Sequence, residues 1–343
     1  MKKTFKSRAA QFIVVLVVAA GLSACHKTPL SSNPAPVKPV SLGDWKKITA
    51  LPTDQIQVLE AVNNTIYAAS ASGFVYSSTD GATWTTSSQV PAGDAITALT
   101  VFKNKLYIGT ETQGIFASTD GGRNWTNSVA NFPTVSSFAE LNDTLYSASA
   151  AYSGIIKLDE ALNQWSSFNK NGLPTNYNLD VQKVIPVNNT LVSVQGENGN
   201  YYIYNKKTTF WNEEYFLKNN YTPGLRVNDM IYDFGVLYAA YDNAILSSQN
   251  AGVNWSYDTV GLKRGPNQLG RRVIYAGMDY YYTLYYAGKT GTWVQKRLRE
   301  IPGSSWAIGE ELLPVGDSYS IREFKGMLFL ATDNGLYFKY LPI

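Results

Sequence analysis

Short apolar stretches alternate with polar turns along most of the chain, and one pattern recurs. A leucine or isoleucine opens an aromatic or apolar strand at Ile66, Leu106, Leu145, Leu191, Leu237, Leu284 and Leu328, with spacings of 40, 39, 46, 46, 47 and 44. Each occurrence follows another short apolar strand and a turn, as in "ITALTVFKN" at 96–104, "VSSFAELND" at 135–143 and "VQKVIPVNN" at 181–189. Each precedes a further turn and strand, such as "GIFAS" from Gly114 or "AILSS" from Ala244. A tryptophan then opens a fourth strand at Trp84, Trp125, Trp165, Trp211, Trp255 and Trp306. No stretch reads as a convincing helix. Four short strands per repeat, at this period, predict an all-β fold: a seven-bladed β-propeller of four-stranded antiparallel blades.

Ala68, Gly109, Ala148, Ala239 and Ala331 follow the recurring pair, and small side chains suit the crowded inner strands of a wedge-shaped blade. The last repeat reaches "GLYFKYLPI" without a fourth strand, whereas "DWKKITALP" from Asp44 stands alone before the first repeat. Trp45–Thr49 is therefore expected to complete the last blade and close the ring, removing an unpaired edge.

The segment before the repeats has a different character. Lys2, Lys3, Lys6 and Arg8 precede an eleven-residue apolar run, Phe12–Leu22, too short to span a bilayer. Small residues lead into Cys25, the single cysteine, so no disulfide can form within one molecule. "LSAC" at 22–25 resembles the lipobox of bacterial lipoproteins of the Bacteroidetes type. The resemblance implies cleavage before Cys25 and its acylation, and several acyl chains would make a lasting membrane anchor. Residues 26–44 hold four prolines and several serines and read as a tether. The expected organisation is a leader over 1–24, an acylated cysteine and tether over 25–44, and a propeller over 45–343. It predicts an envelope location, at the outer membrane facing the periplasm, with the cell surface as the alternative. The absence of an acidic run after Cys25 favours the periplasmic side.

The chain carries 29 basic and 26 acidic residues, a net charge of +3. Four of the basic residues lie in the leader, so the mature chain has 25 basic against 26 acidic, and nothing points to nucleic acid.

The turn before several tryptophans is distinctive. "STDGGRNW" at 118–125 resembles the BNR or Asp-box motif, with Ser118, Asp120, Gly122 and Trp125 in its four positions. "SQNAGVNW" at 248–255 is similar through Ser248, Asn250, Gly252 and Trp255. "STDGATW" at 78–84 keeps Ser78, Asp80 and Trp84 but is one residue short. Propellers of this kind include sialidases, xyloglucan hydrolases, sortilin-type receptors and photosystem assembly factors, so the motif speaks for a fold more than a function. Asp and Ser hold tight turns by hydrogen bonds to nearby backbone, and the resemblance places these turns away from the ligand face. Asp120 is therefore expected to be a structural fastener.

The only histidine, His26, lies outside the repeats, which removes histidine-based triads and histidine-ligated metal sites from the propeller. No cofactor, metal or catalytic residue is expected, and carboxylate chemistry alone survives. A glycosidase would need two acids roughly 5–10 Å apart. The resemblance to sialidases would add an arginine triad, but the early signature arginine is missing and the first mature arginine is Arg123. The longest loops between blades, 168–180, 217–229 and 259–272, offer Tyr177, Asp180, Tyr221, Arg226, Asp229, Arg264, Arg271 and Arg272 for an axial rim suited to a glycan or a protein. Residues 263–299 hold eight basic residues and one acid among many tyrosines. They read either as a patch for an anionic glycan or as a solvated edge. The expected molecule is a monomeric, non-catalytic binding scaffold. A carboxylate-dependent glycoside hydrolase or exo-sialidase-like enzyme and an envelope assembly factor are the alternatives.

Overall fold

The computed structural model describes residues 45–52, 54–130, 132–149, 154–168, 181–195, 200–205, 210–215, 227–241, 244–262, 272–286, 292–300, 304–313 and 316–342. The chain divides after Lys38, and all of these residues belong to the second unit. The expected leader over 1–24 and the whole of the acylated cysteine and tether over 25–44 lie outside them.

The strands form seven four-stranded antiparallel sheets, each a run of consecutive strands except the last. They are numbered here by their first strands: Ile56–Val62, Ile96–Phe102, Val135–Leu141, Val181–Val187, Val227–Asp233, Arg272–Ala276 and Ser318–Phe324. The seventh sheet takes Ser318–Phe324, Met327–Thr332 and Gly335–Tyr340 from one end of the sequence and Lys46–Lys47 from the other. Lys46 pairs with Phe338 and Lys47 with Tyr337. The strand expected over Trp45–Thr49 is thus two residues long, and Ile48 extends it by one backbone hydrogen bond, to the Leu336 carbonyl. First strands of consecutive sheets touch in order, and that of the seventh touches that of the first. The architecture is an all-β propeller of four-stranded antiparallel blades.

Each pair of neighbouring sheets encloses its own apolar cluster. Val75 of the first sheet meets Ile96, Ile108 and Phe116 of the second, and Leu59 and Tyr76 of the first meet Phe329 and Leu336 of the seventh. Because both faces of a sheet are covered, its strands read as near-continuous apolar runs rather than alternating ones. The small residues of the second strands permit this contact. A Cβ added at Gly109 would lie 2.1 Å from Val135 Cγ1 of the third sheet.

First and second strands join mostly through two-residue turns with both residues left-handed, as at Asn63–Asn64, Lys103–Asn104, Asn142–Asp143 and Lys325–Gly326. This is the turn whose twist matches paired strands, and asparagine and glycine tolerate it best. Six first strands also carry a register irregularity after their first residue. The sixth sheet has no such irregularity in its first pair and uses a three-residue turn, Gly277–Asp279.

Candidate ligand site at the axial mouth

The turns before Trp84, Trp125 and Trp255 show how their residues are used. Ser118 Oγ donates to Asp120 Oδ1 at 2.8 Å, and the Gly122 N–H donates to Ser118 Oγ at 2.8 Å. The Asn124 backbone N–H donates to Asp120 Oδ1 at 2.9 Å and its side-chain amide to Oδ2 at 2.7 Å. Those bonds, the backbone one foremost, bring the Asp120 carboxyl down to about 2. Asp80 is lowered further by the N–H groups of Thr83 and Ala82. Asn250 repeats the arrangement, accepting from Ser248 Oγ at 2.9 Å and Asn254 N at 2.8 Å.

The described tryptophans of the repeats reach the preceding sheet, those beyond these turns and those of other sheets alike, and Trp84 Nε1 also donates to Gly81 O of its own turn at 3.3 Å. Trp84 meets Phe329 of the seventh sheet edge-on. Trp125 Nε1 donates to Ser88 O at 3.0 Å, Trp165 Nε1 to Ser128 Oγ at 2.8 Å, and Trp306 Nε1 to Asp258 O at 3.2 Å. Gly81 sits where a Cβ would meet Met327 Cε at 2.4 Å. These turns fasten neighbouring sheets. They lie at the strand ends shared with the first-to-second turns.

Of the loop candidates, Tyr177, Asp180, Tyr221, Arg226, Arg264 and Arg271 lie outside the described residues. Arg272 opens the first strand of the sixth sheet opposite Tyr285, and its side chain is likewise outside them. The described part of the basic run is not an open anionic-ligand patch. Arg297 is 1% exposed, pairs with Asp258 at 2.5 Å, and lies about 5 Å from the rings of Tyr238, Tyr281 and Trp306. Arg299 pairs with Asp233 at 2.5 Å, and Lys296 is buried over the Tyr280 ring. Burial pushes the Asp258 carboxyl up even against the Arg297 guanidinium. Partial burial works to raise the Asp233 carboxyl, but hydrogen bonds from Arg299 and the Tyr281 hydroxyl outweigh it and hold it low.

The opposite ends of the first strands surround an axial cavity of about 390 Å³. The repeated irregularity builds it. In each of six first strands one extra residue is left out of register, a β-bulge that re-aims a side chain. Those residues are Gln57, Thr97, Ser136, Gln182, Asn228 and Tyr319, and all six line the cavity. The sixth sheet contributes Val273 instead.

The ring is uncharged and hydrogen-bonding. Thr97 Oγ1 donates to Val135 O at 2.6 Å and Ser136 Oγ to Val181 O at 2.5 Å, each reaching the next sheet. Their oxygens keep lone pairs. Gln57 Oε1 is buried without a hydrogen-bond partner. Thr134, also at the cavity, holds a φ of 50°, an unusual conformation for a β-branched residue and one that clusters at functional sites.

The charged groups in the cavity wall are paired. Arg322 meets Glu60 at 3.3 Å, and Lys183 meets Asp229. Asp229 also accepts the backbone N–H of Met230 at 2.9 Å and of Ile274 at 3.1 Å. Among the described residues it is the one loop candidate at the cavity. The ring itself went unread in the sequence, although it has a signal. Gln57, Thr97, Ser136, Gln182, Asn228 and Tyr319 each stand nine residues before a recurring Leu or Ile.

The DUF6242 beta propeller domain matches residues 31–156. A comparison with curated protein sequences finds no match. Among solved structures, YCF48 bound to a D1 peptide aligns with TM-score 0.68 at 16% identity, over 91% of this chain and 100% of that one. The extracellular domain of a B. thetaiotaomicron protein described as a one component system aligns with TM-score 0.65 at 14% identity, over 87% of this chain and 40% of that one. A streptogramin B lyase aligns with TM-score 0.67 at 12% identity, over 86% and 96%. At these identities the likeness is one of fold.

Proposed function

We propose that the chain is a seven-bladed propeller of the Asp-box kind, held in the bacterial envelope by acylated Cys25 and the tether that follows. Its function is non-catalytic: it binds a segment of another envelope protein at the axial mouth, facing the periplasm. The observation that carries this reading is the ring of six uncharged side chains supplied by the repeated bulge. Amide and hydroxyl acceptors around a narrow mouth suit peptide N–H groups, and the unpartnered Gln57 Oε1 is one such acceptor. YCF48, of the same fold, is described with a D1 peptide bound.

Hydrolysis fits less well. Two acids, Glu60 and Asp229, line the cavity, but a general acid must reach the bond it protonates. Each carboxylate instead faces a cation, and Asp229 also accepts two backbone N–H groups. The lyase likeness supplies no chemistry either. A virginiamycin B lyase of this fold is described as catalytically inactive once a histidine is replaced by alanine, and the single histidine here is His26, ahead of the sheets.

A photo-reactive residue placed at Gln57 of the full chain, in cells, tests the reading. The expected result is a cross-linked envelope polypeptide, absent when the residue is placed at Thr126 on an outer strand. A glycan adduct, or no adduct specific to Gln57, overturns it.

A further inference from the structure

Strand alternation places the first-to-second and third-to-fourth turns at one end of the ring, opposite the axial mouth. Among the described residues, eight large apolar side chains are well exposed, and six of them are at this end. Phe234 and Met278 stand in the first-to-second turns of the fifth and sixth sheets, and Leu162 and Val253 in the third-to-fourth turns of the third and fifth. Leu298 and Tyr340 end the third strands of the sixth and seventh.

One of these positions is strained. Phe234 is 80% exposed and holds a φ of 43°. The equivalent turns place Asn63, Lys103, Asn142, Asn188 and Lys325 there, with φ of 47–52°. Asparagine tolerates that conformation, whereas a bulky side chain is an outlier in it. The Arg299 guanidinium lies 4.6 Å from the Phe234 centroid, and its Nη1 donates to Met278 O at 3.4 Å, so the two tips flank one side chain. Met278 is 81% exposed. The fold does not bury this phenylalanine to offset the strain, and apolar exposure gathered at one end marks contact with something outside the chain.

The course of the chain identifies the occupant. Lys46–Lys47 runs antiparallel to Gly335–Tyr340, whose last residue is at this end, so the borrowed strand starts there. Cys25 and the tether directly precede it in sequence. The apolar tips stand apart on four sheets instead of lining one groove, which suits a yielding surface better than a folded partner. Neighbouring acids are paired: Asp233, just before Phe234, with Arg299, and Glu160, in the turn of Leu162, with Lys103.

We propose that this face lies on the lipid bilayer that anchors Cys25, with Phe234 and Met278 entering the boundary between headgroups and acyl chains. An anchor at one residue leaves the propeller free to tumble on its tether. The apolar face fixes the orientation and turns the axial mouth away from the membrane. The proposal rests on the acylation of Cys25 put forward above, and the test separates the two.

The full chain, purified from envelopes in detergent, is reconstituted into phosphatidylethanolamine–phosphatidylglycerol vesicles containing a doxyl-labelled lipid. A fluorescent label is attached to Met278→Cys or, separately, to Gln113→Cys, in the second-to-third turn of the second sheet at the mouth end. Flotation with the vesicles reports the anchor, and quenching reports contact with lipid. Quenching at 278 should exceed that at 113 by about threefold or more. Adding Phe234→Asn should bring it toward the value at 113, with flotation intact and Tm unchanged or raised, because asparagine suits a left-handed turn. A chain that does not float overturns the anchor and this proposal with it. A chain that floats with equal quenching at 278 and 113 overturns this proposal alone. So does a label at 278 that is shielded from water yet unquenched, since a second copy would then cover the face.

Discussion

Asp120 uses both carboxylate oxygens to hold a turn, and its partners are local: Ser118 and Asn124. Folding lowers its pKa to about 2. The stabilisation is therefore complete above the unfolded value of about 4 and is lost as pH falls through about 2. Asp120→Ala is expected to lower Tm by a few degrees at neutral pH, and calorimetry should show that gap constant from pH 8 to 5 and closing toward pH 2. A gap that widens on acidification would contradict the turn role. Local partners are also why Asp120 was legible: the whole device lies within eight residues. Arg297 is the opposite case. "QKRLRE" reads as a charged, solvated strand, but Asp258 and the rings that bury the guanidinium come from other strands. No spacing rule within the hexapeptide could reveal that.

Sheet packing is where sequence pattern and geometry meet most directly. The Leu–aromatic pairs, the tryptophans and the small residues fixed the strands and their order, because each sheet repeats the same chemistry on both faces. Gly109 shows the constraint. Its φ is not in the left-handed region, so glycine is required by the approach of Val135 rather than by backbone shape. Gly109→Ala is expected to destabilise by about 1–3 kcal/mol through overpacking. Adding Val135→Ala should restore part of that loss, and urea denaturation of the single and double variants measures the coupling. The bulges were harder to read. A bulge changes which way a side chain points without changing the composition of its strand, so Gln57 and Thr97 look like ordinary strand residues. Their constant offset from the next leucine or isoleucine becomes meaningful only once the ring is seen. Most loop candidates lie outside the described residues, so the axial mouth is defined here by strands.

For the whole molecule, the decisive contact joins the two ends of the fold. Every other sheet is made from consecutive strands and forms by local pairing. The seventh needs Lys46–Lys47 to find Phe338 and Tyr337, nearly three hundred residues away in sequence. Ile48 and Leu51 bring that segment into the same apolar cluster as Ile56, Leu59, Phe329 and Leu336, which spans the first and seventh sheets. Trp45 packs on the other side, against the cluster between the sixth and seventh sheets. Removing residues 45–50 would therefore expose a strand edge and open two sheet-to-sheet clusters at once. Exposed edges template pairing with other chains. The deletion is expected to lower Tm strongly and to promote association, read by scanning calorimetry and by light scattering at several protein concentrations. Trp45→Ala, which keeps the strand but empties part of one cluster, should lower Tm less and leave the protein monomeric. If both variants melt like the parent, the seventh sheet does not depend on its borrowed strand, and the ring is held by its apolar clusters alone.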